Sequence, residues 1–104
     1  MFSDVPRLIE LTRRLVAAAN IPMIVDHEHT KAALKGLMVS DFGSVWITDG
    51  GFLAASLERT IISPDPVAVE HGWYAEDRSG LRLLREFQKW AAKHGATERL
   101  STGV

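Results

Sequence analysis

Between Trp73 and Arg82 the chain reads Trp-Tyr-Ala-Glu-Asp-Arg-Ser-Gly-Leu-Arg, an extended aromatic pair, then a polar turn, then a helix start. The first N–H groups of a helix lack intrahelical partners and lie at its positive end, so such a junction suits an anion. Arg78 and Arg82 add to that attraction, and a pyrophosphate-bearing ligand is the chemistry they suggest together. Asp77 or Ser79 acting only as a helix cap, with the arginines in solvent, accounts for the same residues without a ligand. Just upstream, Glu70 and His71 are the two groups suited to taking a proton from an amine, directly or through water. Strict strand alternation puts Glu70, Gly72 and Tyr74 on one face and Val67, Val69, His71 and Trp73 on the other. The competing readings are a solvent-facing or salt-bridged Glu70 and a packed, hydrogen-bonded His71.

A second polar cluster, Asp26-His27-Glu28-His29, has the residue types of a metal site but not the spacing. Residues two apart on a helix point away from each other, so the histidines do not share an ion, and Asp26 reads as a helix cap. No metal is expected.

The elements that position these residues follow from patterning. Pro6 in a first turn capped by Asp4, then Leu8, Ile9, Leu11, Leu15, Val16 and Ala19, predicts a helix over about 4–19. Asp26 opens a second, with Ala32, Ala33, Leu34, Leu37 and Met38 as its buried face and an end near Met38. Ser44 to Thr48, the turn residues Asp49-Gly50-Gly51 and the apolar run from Phe52 form a β-hairpin whose second arm extends to Ile62. Two prolines, Pro64 and Pro66, break it before a third strand over 67–75. From Ser79, Leu81, Leu84, Phe87, Trp90 and Ala91 recur at helical spacing, and Gly95 stops that helix. A last short strand runs from Thr97 to Thr102, where Ser101 and Thr102 would border the site. The order is α-α-β-β-β-α-β, an α/β chain with an antiparallel meander and, across the final helix, a parallel pair flanked by helices.

The 104 residues suffice for one domain with one core, spanning the whole chain. With 46% hydrophobic and 24% charged residues the composition is that of a folded globule, and no apolar run is long enough to span a bilayer. A formal charge of −1 removes the broad positive field on which nonspecific nucleic-acid binding rests. The absence of cysteine excludes thiolate chemistry and fits a reducing compartment, and the N-terminus does not read as a secretion signal, so neither nucleic acid nor membrane is an expected partner and the cytoplasm is the expected location.

The run Glu70-His71-Gly72-Trp73-Tyr74, the turn, Gly80-Leu81-Arg82-Leu83-Leu84-Arg85-Glu86-Phe87 and Trp90 to Ala96 together resemble GNAT-type acetyltransferases, especially the compact GNAT-like proteins of bacteriophages. The resemblance covers most of the chain. It implies a compact GNAT-like fold and an acyltransferase that uses acetyl-CoA, or another acyl-CoA, to acylate an amine. It further implies that Trp73, Tyr74 and Ala75 offer backbone groups to the pantetheine arm, while Arg78, Ser79, Gly80, Leu81 and Arg82 hold pyrophosphate. The family's turn normally carries Arg or Gln, two residues, Gly, one residue, then Gly or Ala. Here, with Gly80 in the last place, Ala75 and Arg78 fill the earlier ones, or the turn is about two residues shorter, and either way the cradle is altered. The family's first strand is missing or reduced to the residues before Asp4, its last helix and final two strands have no counterpart, and the one tyrosine is Tyr74. Open sheet edges then favour a homodimer or a partner that adds a strand, and a GNAT fold kept as a non-catalytic binding or structural protein is the alternative function.

Overall fold

A computed structural model describes residues 2–100. After a short 3-10 turn at Phe2–Asp4, helices α1 (Val5–Ala18) and α2 (His27–Val39) precede strands β1 (Gly43–Thr48), β2 (Gly51–Glu58) and β3 (Val67–Ala75), helix α3 (Gly80–Lys93) and strand β4 (Thr97–Arg99). The strands form one sheet in the order β1-β2-β3-β4, antiparallel except for the β3–β4 pair. The anticipated element order and mixed sheet are therefore present. No helix among the described residues is long and apolar enough to cross a membrane.

Helices cover both faces of the sheet. Val5, Leu8, Ile9, Leu11 and Leu15 of α1 and Leu34 of α2 pack with Phe52 and Ala54 on one face. On the other, Leu83, Phe87 and Ala91 of α3 pack with Leu53, Ala55 and Ala68. Both faces of β2 are thus dry, which is why it reads Gly-Phe-Leu-Ala-Ala-Ser without polar alternation. Trp46 closes the α3 layer edge-on against Phe87 and Trp90, at ring-centroid separations of 6.3 and 5.5 Å.

Several local expectations shift. Asp4 occupies the N-cap position of α1 with helical dihedrals and no side-chain capping bond, whereas Asp26 caps α2 by accepting the His29 N–H at 2.8 Å. Ala32 and Ala33 are exposed, because α2 lies on the molecule's rim and buries only Leu34. The stripe of α3 is Leu83-Phe87-Ala91, leaving Leu81 exposed. Strand β2 ends at Glu58 rather than Ile62, and Ile61 and Ile62 are exposed in the loop before the prolines. Gly95, with φ of +65°, ends the turn after α3 as its lack of a Cβ allows. Ser101 and Thr102 lie outside the described residues.

Candidate functional site

Strand β3 carries a β-bulge. Ala54 pairs with Gly72 and Ala55 with Glu70, so His71 is an extra residue on β3. The bulge puts the alternation one residue out of step and corrects the expected faces. Directly opposed residues share a face, so Val67, Val69, Gly72 and Tyr74 go with Phe52, Ala54 and Ser56 toward the α1–α2 side. Ala68, Glu70, Trp73 and Ala75 go with Leu53, Ala55 and Leu57 toward α3. Glu70 is therefore not a surface carboxylate but wholly buried, whereas His71 is exposed. His71 does make the expected hydrogen bond: its Nε2 lies 2.6 Å from Ser56 Oγ.

Beyond the bulge β3 gains an open edge. Among the described residues β4 pairs with it only from Val67 to Val69. Downstream, a cleft of about 530 Å³ is lined by Trp73, Tyr74, Ala75, Asp77, Arg78, Gly80 and Leu81. A depression of about 410 Å³ formed by Asp77, Arg78, Ser79 and Arg82 adjoins it. The residues singled out from Trp73 to Arg82 thus gather at one place, where the strand's edge meets the start of α3. Leu81, read from sequence as a core residue of its helix, lies on the cleft wall.

The turn is held by a lattice of short bonds. The Trp73 indole N–H donates to Gly80 O at 3.1 Å, the Glu76 N–H donates to Gly50 O at 2.7 Å, and Thr48 Oγ1 lies 2.7 Å from Ser79 Oγ. Gly50 and Gly51 therefore serve the site as well as the hairpin. A Cβ on Gly51 would come within 2.5 Å of Tyr74 O and 2.9 Å of Ala75 Cα, so the close approach of the two strands there requires glycine. Gly80 differs: a Cβ there would stand 3.5 Å from Ala75 Cβ and 4.0 Å from Trp73 Nε1, an ordinary contact. Its bareness leaves room in the cleft and does not serve the packing of the chain.

At the start of α3, Leu83 N–H makes the first helical bond, to Ser79 O at 3.0 Å, so helix geometry leaves the amides of Gly80, Leu81 and Arg82 outward. Asp77 sits beside them. Its carboxylate accepts from the Ser79 hydroxyl and, at 2.9 Å, from the Ser79 N–H. These bonds, with the nearby Arg82 charge, hold its pKa below the ordinary carboxylate value. An internal carboxylate thus already stands at the positive helix end, and Ser79, 8% exposed, is engaged by Asp77 and Thr48. The sequence suggested that Asp77 or Ser79 caps α3; Ser79 does hold the N-cap position but makes no side-chain capping bond, and Asp77 bonds to Ser79 rather than to an amide of the helix's first turn.

A network not anticipated from sequence flanks the cleft. Tyr74 Oη donates to Glu76 Oε2 at 3.0 Å, and Arg14 Nη1 of α1 donates to Glu76 Oε1 at 2.6 Å. Arg14 also reaches Glu10 Oε2 at 3.4 Å. The bonds from Arg14 and then Tyr74 lower the Glu76 pKa, while burial and then the Glu76 bond raise that of Tyr74. The phenol is engaged, so Tyr74 contributes to the cleft through its backbone and ring. Arg14 and Glu76 are 62 residues apart, and only their charges hinted at the pairing.

No family model matches the chain, and no curated protein matches it in sequence. Solved structures do match in fold. An integron cassette protein, HFX_CASS3, from the mobile metagenome of Cole Harbour Salt Marsh superposes with a TM-score of 0.78 at 19% identity, over 96% of this chain and 72% of its own. A probable acetyltransferase gives 0.72 at 18% identity, over 98% and 75%. AAC(6')-Iy, in complex with the bisubstrate analog CoA-S-monomethyl-acetylneamine, gives 0.69 at 17% identity, over 98% and 74%. The order α-α-β-β-β-α-β and the mixed sheet match a shortened form of the GNAT fold.

Proposed function

We propose that this chain is a GNAT-like acyltransferase that takes the acetyl group of acetyl-CoA, or another acyl-CoA, and delivers it to a primary amine. The observation that carries this reading is the cleft itself. The unpaired edge of β3 at Trp73 to Ala75 runs into the outward amides at the start of α3, with Arg78 and Arg82 beside them. An extended amide-bearing arm fits the first part, by strand-like hydrogen bonds to backbone. A pyrophosphate fits the second, by the helix amides and arginine charge. The space above Gly80 fits a ligand that approaches the backbone closely.

The acyl-CoA supplies an activated thioester carbonyl. The chain's task is to orient that group along β3 and remove the proton that an attacking amine must lose. His71 and Glu70, at the bulge immediately before the cleft, are the residues for that proton. His71 is open to solvent, and Glu70, buried on the α3 side of the sheet, would act through water. That a structurally similar protein is described with an acetylneamine bisubstrate analog makes neamine a sensible first acceptor, alongside simpler polyamines.

Calorimetric titration with acetyl-CoA tests the reading, followed by release of free thiol in the presence of these amines. Saturable heat that disappears in Gly80→Trp, a variant whose side chain fills the cleft, is the expected outcome; no heat with millimolar ligand sinks it. The carboxylate of Asp77 at the anion end favours a second reading, a GNAT fold retained for binding a protein partner without turnover, as in a phage–host contact. Under that reading Gly80→Trp leaves the folded protein's function intact.

A further inference from the structure

Ser56, His71 and Glu58 form a hydrogen-bonded chain across the bulge. Ser56 Oγ donates to Glu58 Oε2 at 2.8 Å and lies 2.6 Å from His71 Nε2. A serine hydroxyl has one proton, and a carboxylate can only accept. The Ser56 proton is therefore committed to Glu58, and the short contact with His71 requires the imidazole to carry its own proton on Nε2. This direction excludes Ser56 as a nucleophile activated by His71, because the proton such a base would remove points the other way. It gives His71 a defined role instead. With Nε2 protonated, Nδ1 keeps its lone pair and has no protein partner among the described residues, on a ring that is itself exposed.

We infer that Ser56 and Glu58 are positioning residues that hold His71 in the Nε2–H tautomer, presenting Nδ1 as the proton acceptor two residues before Trp73, where the lining of the cleft begins. His71 is the extra residue at the bulge, two beyond Val69, and Val69 is paired with Ser56, so the ring lies within reach of that hydroxyl. When Nδ1 takes a proton from an incoming amine, the charge that appears on the ring is met by the Glu58 carboxylate through the Ser56 hydroxyl, and no proton need pass along the chain. The proton acceptor for amine acylation is then His71 rather than the buried Glu70. Ser56, at the centre of the link, is 8% exposed, whereas His71 and Glu58 on either side of it are exposed.

The inference rests on the acyl-transfer reading for its chemistry, but its test does not need acetyl-CoA. Nitrogen-15 spectra of the histidine rings, with the His71 signals identified by their loss in His71→Gln, report the tautomer directly. The expected spectrum of the neutral ring shows the proton on Nε2 alone. Ser56→Ala should lose that single tautomer while the folded signals elsewhere persist, and Ser56→Thr, which keeps the hydroxyl, should restore it. Glu58→Gln, which keeps an acceptor for Ser56, should leave the tautomer in place. A mixture of tautomers in the unaltered protein overturns the inference, as does a tautomer in Ser56→Ala the same as in the parent. Failure of the acyl-transfer reading would appear separately, as calorimetric silence toward acetyl-CoA.

Discussion

Asp77 and Glu76 are adjacent acidic residues whose surroundings give them different tasks. Asp77 fixes the turn through Ser79, and its charge stands where a pyrophosphate would approach. Asp77→Asn keeps an oxygen to accept the Ser79 N–H but removes the repulsion. It should tighten acetyl-CoA binding several-fold at low salt, with the advantage shrinking as salt is raised, as paired titrations at two ionic strengths would show. Glu76 instead ties Tyr74 to Arg14, and these bonds put its pKa below its ordinary value of 4.5. A carboxylate with a depressed folded-state pKa stabilises the fold above its unfolded value, and that contribution is lost as pH falls through the folded one. Glu76→Gln should therefore cost stability at pH 7 and little well below 4.5. Denaturation midpoints at neutral and strongly acid pH would check this, and equal losses at both would show that the network is steric rather than ionic. The sequence displayed the titratable residues at 70, 71, 76 and 77 but not their partners, since Arg14 and Ser56 reach them from distant elements.

At the scale of elements, what the sequence disclosed depended on whether a signal was local. Asp49-Gly50-Gly51 announced the hairpin, and the prolines the break after it, because turn chemistry is written within a few residues. The bulge was invisible, because strict alternation presumes a period of two and nothing in Glu70-His71-Gly72 marks the extra residue. Periodicity alone counted Leu81 into the stripe of α3, whereas it is exposed beside the cleft and the buried stripe is Leu83-Phe87-Ala91. Gly51 shows how hairpin and site depend on each other, since its bare backbone lies against Tyr74 and Ala75, the strand edge that lines the cleft. Gly51→Ala must push β2 and β3 apart, at a cost of about 1–3 kcal/mol for an overpacked contact. Because the Glu76 to Gly50 bond is next to it, the turn before α3 should move as well. Thermal melts should show the loss of stability, and amide exchange should quicken from Trp73 to Ser79. A change confined to the β1–β2 turn would mean that the hairpin and the site turn are not mechanically linked.

The whole molecule has a Cα radius of gyration of 13.3 Å, near the roughly 13 Å expected of a compact chain of this length, with helices packed on both faces of the sheet. Among the described residues no strand pairs with the outer edge of the sheet at β1. That strand, Gly-Ser-Val-Trp-Ile-Thr, contains no lysine, proline or bulge, the devices that usually keep an exposed edge from pairing. Its apolar side chains are turned into the two cores, Val45 and Ile47 toward α1 and α2 and Trp46 toward α3, so what the edge offers a partner is chiefly its backbone. Addition of β1 from a second copy would satisfy that backbone and extend the sheet across a two-fold axis. The chain should therefore sediment as a dimer at high micromolar concentration, with a scattering radius larger than the monomer's. Ser44→Lys places a charge on the edge strand at a position outside both core clusters, and it should shift the protein toward monomer while leaving the melting temperature nearly unchanged. Monomeric sedimentation of the unaltered chain throughout the concentration range would refute β1 pairing. A dimer insensitive to Ser44→Lys would place the contact elsewhere, with the three-residue strand β4 at the opposite edge as the next surface to vary.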